Sequence, residues 1–329
     1  MRWAVTDKSI TSTIALLVLF LSSCAPISSS PVAEITPTVE ATSTSEEKNQ
    51  PTATALPVRV ERNIEFVPEG GAYQSLDIYL PPESDGPFPT FLAIHGGAFI
   101  ARSKALYNFI GKYMAGEGYA FVPTNYRLSQ KATYPAQVED VFCALAWVHA
   151  NKDVYGFDPE QIYVWGGSAG GYLAGMVGTV ETSEIYLKDC PHDLPEKDWL
   201  AGMILFYGFY DFANPESIAG FPAREMVLEP YWGAKYEDIP QELLEEMSPM
   251  SWVDGSEPPA LIIHGTDDNE IPSWMSEQFT NVLLDADVDV QLLLFEGARH
   301  GFELQPLDGP EMSQALGAIE QFVSPLAGT

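Results

Sequence analysis

Residues Ile162 to Gly171 read IYVWGGSAGG, and the reading of the whole chain turns on this stretch. A short apolar run with β-branched and aromatic side chains ends in Gly166-Gly167-Ser168-Ala169-Gly170, and a helix-like segment follows from Tyr172 to Val180. Such a run favours a strand, so the G-x-S-x-G pattern falls between a strand and a helix. That setting marks a candidate nucleophile elbow, a strained turn that lifts one serine above a sheet. A side chain two residues to either side of Ser168 would strike neighbouring backbone, which accounts for Gly166 and Gly170. A Gly-rich turn that only joins strand to helix would look the same locally. The elbow therefore requires a base, an acid and an oxyanion hole elsewhere in the chain.

Outward from the elbow, apolar runs and helical periodicities alternate. Val58 to Phe66 and Ser75 to Leu80 read as an antiparallel opening pair of strands around Pro68-Glu69-Gly70-Gly71. Pro89 to His95, Tyr119 to Thr124 and Ile162 to Trp165 follow as strands, then Met203 to Phe206, Ala260 to His264 and Val290 to Phe295. Helical patterns cover Leu106 to Glu117, Ala136 to Asn151, Trp274 to Leu284 and Met312 to Phe322. The alternation implies an α/β fold whose mostly parallel, eight-stranded sheet carries helices on both faces. Ligands of such sheets sit at the carboxyl ends of the strands. Phe209 to Trp252 breaks the alternation and is rich in aromatic residues, among them Phe209, Phe212, Phe221, Tyr231 and Trp232. It reads as a small cap insertion over the site, or as an insertion whose rings only complete its own core.

Of the five histidines, His300 is the candidate base. It follows the last strand within Gly297-Ala298-Arg299-His300-Gly301, where its ring can turn toward the strand-end face. His149 reads as a helix-end residue and His192 has no assigned role. The acid should lie between Ser168 and His300 in chain order. The strand ending at His264 runs into Gly265-Thr266-Asp267-Asp268-Asn269-Glu270-Ile271-Pro272. Asp268 is the chosen acid, ahead of Asp267 and Glu270, whose alternative is an acidic turn capping the helix that starts near Pro272. After the third strand, His95-Gly96-Gly97-Ala98-Phe99 resembles an HGGG-type oxyanion loop. Backbone N–H donors are assigned to Gly97 and Ala98, with Ala169 after the serine as another. His95 is expected to order the loop rather than act as a base.

The start of the chain is of a different kind. Arg2 and Lys8 precede an apolar stretch from Ile10 to Leu21 that is short for a membrane span and suits a signal-peptide core. It ends in Leu21-Ser22-Ser23-Cys24, which resembles a bacterial lipobox with Cys24 as acyl acceptor. The expected organisation is a lipoprotein signal peptide over 1–23, a Ser/Thr/Pro-rich disordered tether over 24–56, and a catalytic domain over 57–329. An ordinary secretory signal cleaved near Ala25 is the alternative. Either implies an exported protein at the cell surface or in the periplasm, with a membrane partner through the lipid on Cys24. Which membrane carries the anchor stays open. Two cysteines remain, Cys143 and Cys190. Cys143 lies in a helical pattern and reads as a small buried hydrophobe, although export would permit a disulfide. Asp and Glu outnumber Lys and Arg by 46 to 16, a net charge of -30 that argues against nucleic acid as a partner.

With these pieces in place, the chain resembles the α/β-hydrolase fold. Within it, the chain is similar to hormone-sensitive-lipase-like carboxylesterases of the kind that includes bacterial feruloyl and acetyl-xylan esterases. The resemblance rests on His95 to Phe99, Asn125-Tyr126-Arg127-Leu128, the Ser168 pentapeptide, His264 to Pro272, and His300-Gly301-Phe302. There are two departures. Ala98 replaces the last glycine of the loop, with its N–H retained. Gly167 stands where the family often has an aspartate, which removes a carboxylate beside the site. The resemblance implies a serine esterase without a cofactor, acting on small-molecule esters through Ser168, His300 and Asp268. A histidine base must be neutral to act, so a rate rising through about pH 6 to 7 is expected. The rivals are a small exopeptidase of the same fold and a surface-anchored binding module that lost its chemistry. The acyl and alcohol parts of the ester and the oligomeric state are not legible.

Overall fold

The computed structural model describes residues 57–82, 86–180, 184–196, 198–221 and 224–324. The expected signal peptide, Cys24 and the tether lie outside the described residues. One eight-stranded sheet organises the rest: β1 (Arg59–Glu65), β2 (Ser75–Leu80), β3 (Phe88–Ile94), β4 (Ala120–Thr124), β5 (Phe157–Gly167), β6 (Gly202–Phe206), β7 (Ala260–Gly265) and β8 (Val290–Phe295). Their spatial order is β1-β2-β4-β3-β5-β6-β7-β8. The opening pair is antiparallel and β2 is also antiparallel to β4, while every pair from β4 through β8 is parallel.

Side-chain alternation along the central strands supplies two cores, one on each face. In β5, Ile162 and Val164 join one buried cluster while Tyr163 and Trp165 join the other. β6 divides in the same way, with Met203 and Leu205 against Ile204 and Phe206, and so does β7. The helices Ala136–Ala150, Ala169–Thr179 and Trp274–Asp285 cover the first face. The helices Asn108–Gly116 and Pro310–Val323 cover the second. Each fully buried aliphatic or aromatic side chain in these layers contributes roughly 1.5–3 kcal/mol.

Three local expectations are corrected. β5 begins at Phe157, earlier than Ile162, because the polar run Asp158 to Gln161 interrupts the apolar pattern before the strand enters the core. The helix after the elbow begins at Ala169 rather than Tyr172; Gly170 and Gly171 are poor helix formers and mask its first turn. Cys143 is not a lone buried thiol but forms a disulfide with Cys190, 47 residues away, at a Cα–Cα distance of 5.5 Å. The loop that brings Cys190 back to the helix has no periodic pattern, so the pairing was not readable from spacing. His149 does sit at its helix end, but buried, with Nε2 bonded to the Trp199 carbonyl.

The insertion after β6 folds as short helices at Pro215–Ala219, Arg224–Trp232, Gln241–Glu246 and Pro249–Trp252. Both readings of its aromatic residues hold. Tyr210 and Tyr231 are fully buried core, while Phe209, Phe212 and Phe221 wall a cavity that reaches Ser168.

Candidate active site

Four strand ends deliver the site. β5 ends at Gly167, and Ser168 follows at φ 58° and ψ -122°, the strained turn expected of an elbow. Its N–H donates to the Phe206 carbonyl at 3.0 Å, which ties the turn to the end of β6. A Cβ on Gly166 would run into the Gly170 carbonyl, and one on Gly170 into the Ile94 carbonyl. Glycine at both positions is therefore required by space.

β7 and β8 bring the two partners. His300 Nε2 lies 2.9 Å from Ser168 Oγ, and His300 Nδ1 lies 2.6 Å from Asp268 Oδ2. An ionised carboxylate only accepts, so Nδ1 carries the proton and Nε2 accepts from the serine. Asp268 Oδ1 accepts from the Glu270 and Ile271 N–H groups at 2.8 and 2.9 Å. The turn expected of the rejected acids is thus closed by Asp268 itself. Asp267 is exposed, and Glu270 keeps Oε2 3.7 Å from His300 Nε2, beyond hydrogen-bond distance.

Asp268 has a second supporter that the motif did not announce. His264, fully buried at the end of β7, places Nε2 2.8 Å from the Ile271 carbonyl and 3.2 Å from Asp268 Oδ2. A carbonyl can only accept, so Nε2 bears hydrogen and Nδ1 accepts from Ser276 at 2.7 Å. Burial alone would push the Asp268 carboxyl up. The bonds from His264 and His300 and the Ile271 N–H outweigh it, and hold the carboxyl well below the usual carboxylate range. Tyr207, just after β6, packs its ring 4.5 Å from that of His300 and backs it.

The loop after β3 supplies the donors. Gly97, Ala98 and Phe99 take φ of 122°, 56° and 61°, three consecutive positive values. Among the described residues, the Gly97 and Ala98 N–H groups donate to no protein acceptor. Ala169 is the first residue of its helix and has no intrahelical carbonyl to serve. Gly97 and Ala98 share a cavity wall with Ser168, and Ala169 borders the second cavity there.

Both ends of this loop are fastened. The Tyr126 hydroxyl donates to the His95 carbonyl at 2.9 Å, its ring stacks on His95 at 4.3 Å, and His95 Nδ1 donates to the Gly96 carbonyl. Burial pushes the His95 ring down to about 4, against the raising effect of the Gly96 carbonyl, so it is neutral and orders the loop as expected. At the far end, buried Lys104 reaches Asp77 at 2.9 Å and Asn63 at 2.7 Å, while its N–H bonds Asn125. Breaking such a buried pair costs roughly 3–5 kcal/mol. Arg127 clamps the neighbouring loop to Asp140 and Glu139. The Asn125 to Leu128 motif is thus a brace for the Gly96 to Phe99 loop.

Two cavities open at Ser168. One, of about 50 Å³, is walled by Phe99, Tyr172, Phe209, Phe212, Phe221 and Leu228. The other, of about 310 Å³, is bordered by the Gly96 to Ala98 loop, Arg102, Tyr207, His300 and Glu303. Glu270 stands between them and borders both. Among the described residues, no three or more His, Cys, Asp and Glu side chains converge as metal ligands would.

A serine, a histidine and a carboxylate in one hydrogen-bonded line, beside unspent N–H donors, define a hydrolase-type site on an α/β-hydrolase sheet. Residues 76–283 match the BD-FAE family, and the chain belongs to that family. It is 30% identical over 241 residues to Esterase LipC of Mycobacterium tuberculosis, an alignment covering 72% of this chain and 58% of that protein. Esterase LipQ of the same organism is 32% identical over 244 residues, covering 71% and 56%. The chain thus spans somewhat under three-fifths of the length of these two curated relatives. Among solved structures, esterase B from Lactobacillus rhamnosis superposes with a TM-score of 0.68 at 23% identity, over 81% of this chain and 86% of that one.

Proposed function

We propose that this protein is a serine carboxylic-ester hydrolase that works through an acyl-enzyme. Ser168 Oγ attacks the ester carbonyl carbon as its proton passes to His300 Nε2, and Asp268 holds the imidazole and stabilises its charged form. The N–H groups of Gly97, Ala98 and Ala169 receive the developing oxyanion. The carbon–alkoxy bond then breaks, His300 returns the proton to the departing alcohol, and water repeats the sequence to release the acid. The observation that carries this reading is the unbroken line Ser168–His300–Asp268, at 2.9 and 2.6 Å, beside N–H groups with no other acceptor.

The two cavities refine the substrate. The small cavity of about 50 Å³, closed by rings and aliphatic groups, suits a short acyl chain. The wider cavity with Arg102 and Glu303 suits a polar alcohol. The test is hydrolysis of p-nitrophenyl acetate, butyrate and octanoate by wild type and Ser168→Ala, beside a dipeptidyl chromogenic substrate. Activity greatest on acetate and reduced by several orders of magnitude in the variant is expected. Cleavage of the peptide in preference to the esters would move the reading to an exopeptidase. A wild type as inactive as its variant on every substrate would move it to a binding module.

We further propose that residues 1–23 are removed, that Cys24 carries lipid and that 24–56 tether the domain to a membrane. The support is the lipobox-like Leu21 to Cys24 after an apolar core. Mass spectrometry of the mature N-terminus should find a diacylglyceryl Cys24, and an unmodified terminus near Ala25 would replace the anchor with plain secretion.

A further inference from the structure

Gly167 immediately precedes Ser168, and the place its side chain would take is occupied from elsewhere in the chain. A Cβ there would run into Glu303 Oε1 and lie 3.4 Å from the Tyr207 hydroxyl. Glu303 belongs to the 3-10 turn Phe302–Leu304, directly after His300, and is 3% exposed. Its Oε2 and the Tyr207 hydroxyl are buried and have no hydrogen-bond partner among the described residues. The titratable and charged groups around it are few. The Tyr107 and Tyr207 hydroxyls face it across the sheet end, and Arg102, His300 and Glu270 border the same cavity. Arg102 is exposed and forms no ion pair with it.

A carboxyl in this setting is held in its protonated form. Burial pushes Glu303 up to about 8, against the lowering effects of its own N–H, the Arg102 charge and the Leu304 N–H. A neutral carboxyl costs far less to bury against the Gly167 backbone than an ionised one. An ionised one, with an oxygen lacking any partner, would be an uncompensated charge beneath the turn.

We propose that Glu303 is a positioning residue for Ser168: its protonated carboxyl packs under Gly167 and holds the nucleophile turn, and loss of that proton releases the turn. The carboxyl that Gly167 leaves out of the elbow is thereby restored from a different element. The inference rests on reading Ser168 as the nucleophile, so Ser168→Ala is run beside it as a separate check.

The experiment is the pH dependence of kcat and KM for p-nitrophenyl acetate in wild type, Glu303→Gln and Glu303→Ala, with circular dichroism at each pH. Wild type should lose at least about fivefold in kcat between about pH 7 and about pH 9.5, with little change in KM. Glu303→Gln, which keeps the shape and cannot ionise, should hold its pH 7 rate to the end of that range. Glu303→Ala should lose about tenfold in kcat at every pH. Gly167→Ala should be impaired alone and relieved in the Gly167→Ala/Glu303→Ala pair, since the methyl and the carboxyl claim one space. An infrared difference spectrum of wild type across the same range should show a protonated carboxyl band lost at high pH, which holds even if a variant does not fold. A flat wild-type profile, an alkaline fall that persists in Glu303→Gln, or no such band overturns the proposal. If Ser168→Ala retains full activity, the nucleophile reading itself has failed, whatever Glu303 does.

Discussion

The cavity beneath the insertion and the cavity beside the His300 loop share Ser168 and Glu270 but are built of different material. The first is walled by rings and aliphatic groups that also belong to the main core: Phe99 stacks on Tyr231 at 4.0 Å, and Phe209 packs against Phe212 at 4.7 Å. The second is walled by loop backbone, by Ile100, Leu106 and Leu304, and by groups that ionise or hydrogen-bond, Arg102, Tyr207, His300 and Glu303. Shape on the first side is therefore coupled to stability, because a ring cannot be trimmed without opening the core. On the second side, protonation is coupled to chemistry as well, although Tyr207 is core there too.

The largest expected effect falls on both sides alike. Asp268→Asn should lower kcat by about 10⁴-fold on every ester, measured as steady-state rates on the acetate-to-octanoate series. A loss confined to one chain length would mean that Asp268 acts through the shape of one cavity. Next comes a change that should touch neither cavity. Replacing Cys143 and Cys190 by serine frees a 47-residue span and should cost about 4 kcal/mol by chain entropy, read from urea unfolding. The chain-length profile should stay as it was.

Of the two cavities, the wider one carries the buried acid, so it should make stability depend on pH. Glu303 keeps its proton up to about 8 in the folded protein, whereas the unfolded chain gives it up near about 4.3. Its contribution is full below about pH 4.3 and is lost as pH rises to about 8. The melting temperature of Glu303→Gln should therefore gain on wild type across that window and run parallel above it; parallel curves throughout would remove the coupling. The smallest effect is expected on the apolar side. Leu228→Ala should raise the octanoate-to-acetate ratio of kcat/KM roughly tenfold, from two newly buried methylenes at about 0.8 kcal/mol each. An unchanged ratio would place the acyl chain in the other cavity.

The parts of the site that were legible in the sequence are those whose chemistry forces a local pattern. An elbow needs glycines at 166 and 170 because backbone passes within contact of both, so Ser168 announces itself. Asp268 and His300 follow strand ends in loops of small and polar residues, from which they reach Ser168 in one hydrogen-bonded line. The central strands were legible because their apolar runs feed a core on each face of the sheet. What stayed hidden depends on approach in space. His264 looks like the last residue of a strand, and its bond to Asp268 arises only when the loop through Ile271 folds back over it. Glu303 carries no sequence reading at all, because nothing local says that its turn points it beneath Gly167. Cys190 sits in a segment with no periodicity to predict its path. The insertion left two readings open because the same rings serve as core and as cavity wall.

The loop from Gly97 to Phe99 carries a further consequence. Three successive residues in left-handed backbone conformation are unfavourable for any chain, and here they are fixed by Tyr126 and His95 at one end and by Lys104 and Asp77 at the other. The entropy of ordering these donors is lost once, when the protein folds, and not again at each turnover. On the proposed reading, a substrate arriving at Ser168 meets N–H groups that the fold has left without an acceptor, and its binding energy is left free to act on the reacting carbonyl.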